Sequence, residues 1–463
     1  MLNKGFRVNH FKKEKGGKKM VFIKRLTVVV LLIAIIALSA FAQPKKEITY
    51  MAWYNTTQSE AADIQKTLDR FNAEQNEIHV SLITVSRADY ETKLNTMAAA
   101  KQLPDTCMMA EPMALRYAAA GLLADVSDMY TPEEAPLQSL AFTYKGKTVA
   151  YSCSNEVLLI YYNKKLFDDA GVPYPPATAE EAWTWEEFVE VAKKLTKDTR
   201  GRTPNDRGFN ARNIVTYGAD FNRLGWMWPI LAVSAGGGIM SPDGQELWLG
   251  KPETIDALQK IADLYLVDKV APSVGEMNTM PSLDVTLLTG KVAMATSGQW
   301  EIGVSLKNSL PDGLEYGVGV LPKIKKAVTY NTGGPFVVFE SSKEMDAAKT
   351  FVKWMSDEKN GWDLITGGIW MPVSKKWYAS DEVIRQWADN DVHPPYEQYK
   401  TAVVDYAMNN AEQVPWYYFP SYDKLDDMIN SGIDAVWNGK QTAKQYINSI
   451  LPRVEKLFNE NKP

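Results

Sequence analysis

Tryptophan is the residue type in this sequence best suited to recognition chemistry. Five of the fourteen, Trp53, Trp226, Trp228, Trp300 and Trp370, fall just past strand-like runs or in turns. An indole face is flat and apolar and matches the C–H face of a sugar ring, whose hydroxyl rim then needs carboxylate, amide or guanidinium partners. The candidate partners are Asn55, Thr57 and Gln58 after the first of these tryptophans, then Glu111, Asn155, Glu156, Arg223 and Asn331. Trp300 is the strongest single candidate, because Gly298-Gln299 ends the preceding strand and frees the ring. Trp183, Trp248, Trp354, Trp362, Trp387 and Trp437 fall in helix-like or peripheral stretches and are assigned to packing.

Reaction chemistry has less to build on. Glu111 and Glu156 could form the acid/base pair of a glycosidase, but hydroxyl recognition accounts for both without a reaction. There is no G-x-S-x-G elbow, no phosphate loop and no H-E-x-x-H pair. His79 and His393 are isolated, and Gly317-Val318-Gly319 lacks the third glycine of a dinucleotide fingerprint. No metal, no cofactor and no catalytic residue are expected.

Charge and export signals narrow the partners. The chain has 463 residues and a formal net charge of −5, but its first 42 residues hold nine Lys/Arg and a single acid. Without them, 42 basic and 55 acidic side chains remain over 421 residues, a net charge of −13. A body that acidic repels phosphate backbones, so nucleic acid is not an expected partner. Met20–Arg25 is a basic start, Leu26–Leu38 an apolar run, and Ala40 and Ala42 the small residues of a cleavage site; residues 1–42 read as a signal peptide. The apolar run falls short of the roughly 20 residues that span a bilayer as a helix. No cysteine follows it to carry a lipid, so the mature chain is expected to be soluble, periplasmic and monomeric. Cys107 and Cys153 sit in apolar runs and are expected to stay unbridged.

The elements that must position these residues alternate. Ile48–Tyr54, Ile78–Val85 and Thr106–Met109 read as strands, with helical spacing over 61–75 and 90–101 between them. That order predicts parallel βαβ units and an α/β layer architecture. Thr148–Tyr162 is too long for one strand and suits a segment crossing between two domains. Thr184 with Glu187 predicts a capping box at the head of a helix over 185–195. Lys291–Thr296, Tyr316–Leu321 and Pro335–Phe339 read as further strands.

With these elements in order, the sequence resembles the family 1 extracellular solute-binding proteins of ABC importers, the maltose-binding-protein-like carbohydrate binders. The likeness is carried by LPDTCMMAEPMALRYAAAGLLADVSD, YKGKTVAYSCSNEVLLIYYNKKLFDDAGV, TWEEFVEVAKKLT, WPILAVSAGGGIMSPDG, LLTGKVAMATSGQWEI, YGVGVLPKI, GGPFVVFESSKEMDAAKTFVKWM and WNGKQTAKQYINSILPRVEKLF, in family order across residues 47–458. It implies a two-lobed periplasmic-binding fold of type II, with ligand held between lobes joined by crossing strands near Asn155, Gly298 and Met355. The expected division is 43–153 plus 299–355 for the first lobe and 154–298 plus 356–463 for the second. The resemblance also implies ligand contacts at Asn55, Thr57, Gln58, Glu111, Glu156, Trp226 and Trp300, at Gly333 and Gly334, and at Trp370. Met109 and Pro112-Met113 replace polar or aromatic contacts of maltose-binding protein, which speaks against maltose as ligand, and the aromatic insertion at 394–422 is expected to reshape the cleft. The implied function is capture of a carbohydrate, an oligosaccharide by preference, for the permease subunits of an inner-membrane ABC importer. The alternatives are a secreted carbohydrate-active enzyme using Glu111 and Glu156, or a binding protein that serves a sensor.

Overall fold

A computed structural model of the chain describes residues 44–54 and 58–462. The expected signal peptide and the candidates Asn55 and Thr57 lie outside the described residues. Strand β1 (Lys46–Tyr54) pairs in parallel with β2 (Ile78–Ser86) along its whole length and with β3 (Thr106–Met108) at Tyr50 and Met51. The connecting helices are Gln58–Glu74 and Arg87–Ala99, each starting three residues before its apolar periodicity does. Side chains on β1 alternate between faces. Ile48, Tyr50 and Ala52 pack with Leu68, Phe71 and Phe351, while Met51 packs with Tyr90, Leu94 and Cys107 on the other face.

Two sheets carry the two lobes. The first has the order β2-β1-β3-β11-β5-β4, where β4 is Ala141–Tyr144, β5 Lys147–Ser152 and β11 Pro335–Val338. The second has the order β10-β6-β9-β8-β7, where β6 is Leu158–Asn163, β7 Lys197–Asp198, β8 Ile214–Asp220, β9 Val292–Gly298 and β10 Tyr316–Gly319. The predicted capping box is present: Thr184 Oγ1 accepts from the Glu187 N–H, and the Glu187 carboxylate accepts from the Thr184 N–H.

Three segments cross between the sheets, and they run side by side. Residues 153–157 lead from β5 to β6, as the long apolar run around Asn155 predicts. The return lies at 320–334 rather than at Gly298, because the chain leaves β9 only to re-enter the same sheet as β10, antiparallel to β6. Gly317 and Gly319 permit that pairing, since a Cβ at either would strike Tyr162 or Pro175. Residues 299–319 therefore belong with the second sheet, a correction to the expected division. The third crossing follows the helix Met345–Met355, which packs on the first sheet, and reaches Met371 against the buried Val157 and Leu159 of the second lobe. The C-terminal part is not confined to the second lobe either. Phe142 and Tyr417 have ring centroids 4.4 Å apart, and Arg116 pairs with Asp423 at 2.5 Å, because the helix Glu111–Ala119 offers this segment an apolar face.

The crossing segments are tied backbone to backbone. Glu156 and Thr332 exchange both hydrogen bonds, at 3.1 and 3.0 Å, and the Asn155 N–H donates to the Met371 carbonyl at 3.1 Å. The Cys153 N–H donates to the Gly334 carbonyl at 2.8 Å, and the Ser152 hydroxyl donates to the Gly333 carbonyl. The two side chains of Asn155 and Asn331 are buried and bonded to each other at 2.6 Å, with Asn155 Nδ2 donating on to the Tyr378 hydroxyl. Gly333 has φ of +147°, and an added Cβ would collide with the Ser154 carbonyl. A Gly333→Ala substitution is thus expected to destabilise the fold by at least about 1–3 kcal/mol, read as a lower midpoint in urea denaturation; an unchanged midpoint would show the crossing to be unstrained.

Candidate functional site

Between the two sheets, above the crossing segments, lies a cavity of about 770 Å³. Its first wall comes from the first lobe: Trp53 near the end of β1, Arg87 and Glu91 on the helix Arg87–Ala99, and Glu111 at the head of the helix Glu111–Ala119. Glu156, Tyr330 and Thr332 rise from the crossing segments. The second lobe contributes Trp226 and Trp300, and the C-terminal region contributes Trp416 and Asp426.

Each tryptophan is held by local structure. β9 ends at Gly298, and the Trp300 ring folds back over that glycine, occupying the space a Cβ would fill. Trp226 meets the Trp300 ring edge to face, with centroids 5.5 Å apart. Trp53 is braced by Tyr90 at 5.0 Å, and the Arg87 guanidinium sits 5.1 Å from its ring centroid. Trp416 stands in a short turn over Pro415–Tyr417 and leans its ring against Tyr422 at 5.9 Å. Four indoles thus face one space from three parts of the chain, which is the geometry for stacking flat, partly apolar rings.

The carboxyl groups among them are unusual. Burial pushes the Glu156 carboxyl up to about 8, helped by the nearby charge of Glu111 and opposed by the Ser154 hydroxyl, which donates to it at 2.7 Å. Burial also raises Glu111, against its own backbone N–H, the Arg87 charge and the Thr332 hydroxyl at 3.4 Å. Asp426 is pushed up to about 6 by burial, reinforced by Asp427 and Asp423, and opposed by Asn430 Nδ2 at 2.8 Å. At neutral pH the Glu156 carboxyl therefore keeps its proton and can both donate and accept, a match to sugar hydroxyls.

Of the fifteen binding candidates, Trp53, Glu111, Glu156, Trp226 and Trp300 line this cavity. Gln58 begins the first helix. Asn155, Asn331, Gly333 and Gly334 lie in or against the crossing ladder and shape the floor instead of facing it. Trp228 is fully buried, and its Nε1 donates to Asn430 Oδ1 at 3.1 Å; through Asn430 it positions Asp426. Arg223 turns to the Tyr265 ring and to Asp220, because that buried carboxylate draws the cation inward. Trp370 lines a separate cavity of about 350 Å³ behind the crossing, beside Met355 and Met108. Sequence reasoning missed Trp416, Tyr330 and Asp426; the aromatic run VPWYYF was the available signal for the first. Cys107 and Cys153 are free and buried, as expected.

The chain matches a profile described as bacterial extracellular solute-binding protein over residues 54–362. It is 25% identical over 321 residues to a maltotriose-binding protein of Pyrococcus abyssi, covering 66% of this chain and 61% of that protein's length. It is 23% identical over 419 residues to a putative ABC transporter periplasmic-binding protein of Escherichia coli, covering 87% of this chain and 90% of that one. Among solved structures, an ABC substrate-binding protein from Listeria monocytogenes in complex with cycloalternan superposes with a TM-score of 0.74 at 24% identity, covering 90% of this chain and 99% of that one. A cyclic α-maltosyl-1,6-maltose binding protein from Arthrobacter globiformis gives 0.69 at 21% identity, covering 90% of this chain and 100% of that one. These likenesses establish the two-lobed α/β fold. Among the described residues, no helix is long and apolar enough to cross a membrane.

The raised carboxyls generate a pH prediction. Glu156 in the folded chain keeps its proton up to about 8, whereas an unfolded glutamate loses it near its ordinary value of 4.5. Between those two values the folded state binds more protons, so this residue's contribution to stability falls as pH rises and is lost above about 8. Glu156→Gln is expected to gain stability relative to the parent between pH 5 and pH 8.5, read as a widening gap in urea midpoints; a constant gap would mean the carboxyl titrates normally.

Proposed function

The chain belongs to the bacterial extracellular solute-binding protein family, and from that premise we propose that it captures a carbohydrate between its lobes and delivers it to an ABC importer. The observation that carries this reading is the single cavity that four tryptophans and four carboxyl-bearing side chains, Glu91, Glu111, Glu156 and Asp426, face together. Indole faces take the apolar side of pyranose rings, and carboxyls with Arg87 and Tyr330 take the hydroxyls. A volume of about 770 Å³ accommodates more than one ring, in keeping with an oligosaccharide.

Hinge closure is the mechanism. Three crossing segments tied by backbone hydrogen bonds let the lobes rotate about them without unfolding either sheet. Ligand touches Trp53 and Glu111 on one side and Trp226 and Trp300 on the other only when the lobes are closed. Binding therefore shifts the population toward that state, which the permease reads. The partner is the membrane subunits of the importer, and the mature protein works alone in the periplasm as a monomer.

Two carboxyl groups in one cleft also fit a glycosidase, but the names its relatives carry are those of binding proteins. Chromatography of oligosaccharides incubated with the protein separates the two readings, since product formation would overturn binding without turnover. Calorimetry against a panel of neutral and substituted oligosaccharides is the direct test. Trp300→Ala is expected to lose at least about tenfold in affinity for the ligand that binds; unchanged affinity would remove Trp300 from the site.

A further inference from the structure

The charge inside the cleft is one-sided. Among the described residues that line it, four carry carboxyl groups, Glu91, Glu111, Glu156 and Asp426, and one carries a cation, Arg87. Arg87 is already engaged: Nη1 lies 3.5 Å from Glu91 Oε1, and the guanidinium covers Trp53. Its charge reaches Glu111 as well, without offsetting the burial of that group. The other nearby cations face elsewhere. Arg223 is drawn to Asp220 and Tyr265, and Arg116, on the helix that Glu111 heads, pairs with Asp423. Glu111, Glu156 and Asp426 are left with neutral hydrogen-bond donors, Thr332, Ser154 and Asn430, while Asp427 adds a further like charge beside Asp426.

A second feature of the same space points to a cationic ring. Four indole faces line it, and a cation over an indole face is attracted by the ring quadrupole, most strongly where water is excluded. One of the four, Trp416, is only 6% exposed, and its Nε1 has no hydrogen-bond partner in the protein. A neutral sugar would fill the hydroxyl contacts and leave the carboxyls without a counter-charge. An acidic or phosphorylated sugar would add negative charge to a space lined by four carboxyl groups and a single cation that is already engaged.

Resting on the carbohydrate reading above, we propose that the cleft selects saccharides carrying a protonated amine, an amino-sugar or amino-cyclitol unit held by Glu111, Glu156 and Asp426 between the tryptophan faces. An ammonium group brought beside these carboxyls favours their ionised forms. Binding at neutral pH then expels a proton from Glu156 to the solvent, whereas a neutral ligand leaves it in place.

The test is calorimetric titration of the intact protein with glucosamine trimer, its fully N-acetylated counterpart and maltotriose. It is run at pH 6, where the amines are charged and Glu156 still holds its proton, in two buffers of different ionisation enthalpy. The amine-bearing trimer is expected to bind at least about tenfold more tightly than the acetylated one, to weaken as salt is added, and to release protons on binding. Glu156→Gln should narrow the ratio between the two trimers and reduce the proton release. If maltotriose or the acetylated trimer binds and the amine-bearing trimer binds no better, this inference is overturned and the carbohydrate reading stands. If none of the three binds, both are overturned.

Discussion

The ladder of backbone hydrogen bonds across the three crossing segments is the constraint on which the rest of this molecule depends. Peptide groups buried between two lobes must find partners, and here they find them in one another: Glu156 with Thr332, Asn155 with Met371, Cys153 with Gly334. The pairing brings chain stretches some 180 to 220 residues apart into one narrow band. It fixes the axis about which the lobes can turn and sets Glu156 and Thr332 at the floor of the cleft. Gly333 is the residue that the ladder cannot exchange, since its positive φ and the adjacent Ser154 carbonyl leave no room for a side chain.

The cleft then sets two physical tendencies against each other. Closing apolar indole walls around a ligand excludes water, and the same exclusion raises the cost of charge on Glu111, Glu156 and Asp426. The protein answers in part with the hydroxyls of Ser154 and Thr332 and the amide of Asn430. These neutral donors orient the carboxyls without neutralising them. What completes the site electrostatically must come from the ligand or from a proton, and that makes protonation state and ligand identity two sides of one equilibrium.

Support for the site reaches well behind its lining. Trp228 looks, by type and position, like another stacking surface, yet it is buried and works through Asn430 to hold Asp426. Gly225 serves the same cluster, because a Cβ there would strike Asn430 and Asp426. The segment carrying Trp416 and Asp426 also packs on the helix that begins at Glu111, so its placement is coupled to both lobes.

Local signals were enough for much of this. The β-type run Ile48–Tyr54, the alternation along Ile78–Val85 and the spacing of Ile64, Leu68 and Phe71 between them dictate the first βαβ unit; Thr184 with Glu187 dictates a helix start; Gly298 before Trp300 dictates a freed ring. Each of these is a short-range consequence of side-chain period or backbone sterics, which a sequence carries in full. Which sheet Tyr316–Gly319 joins, whether Asn155 faces ligand or Asn331, and where Trp228 and Trp370 point were decided only by the fold. Trp416 and Asp426 reach the cleft from more than a hundred residues beyond Trp300; the aromatic run VPWYYF marks the first as a candidate ring but not the cleft it joins, and no local pattern marks the second. A residue's type sets what it can bind, but its neighbours across the lobes are fixed by packing between distant segments, and only the tertiary structure determines those.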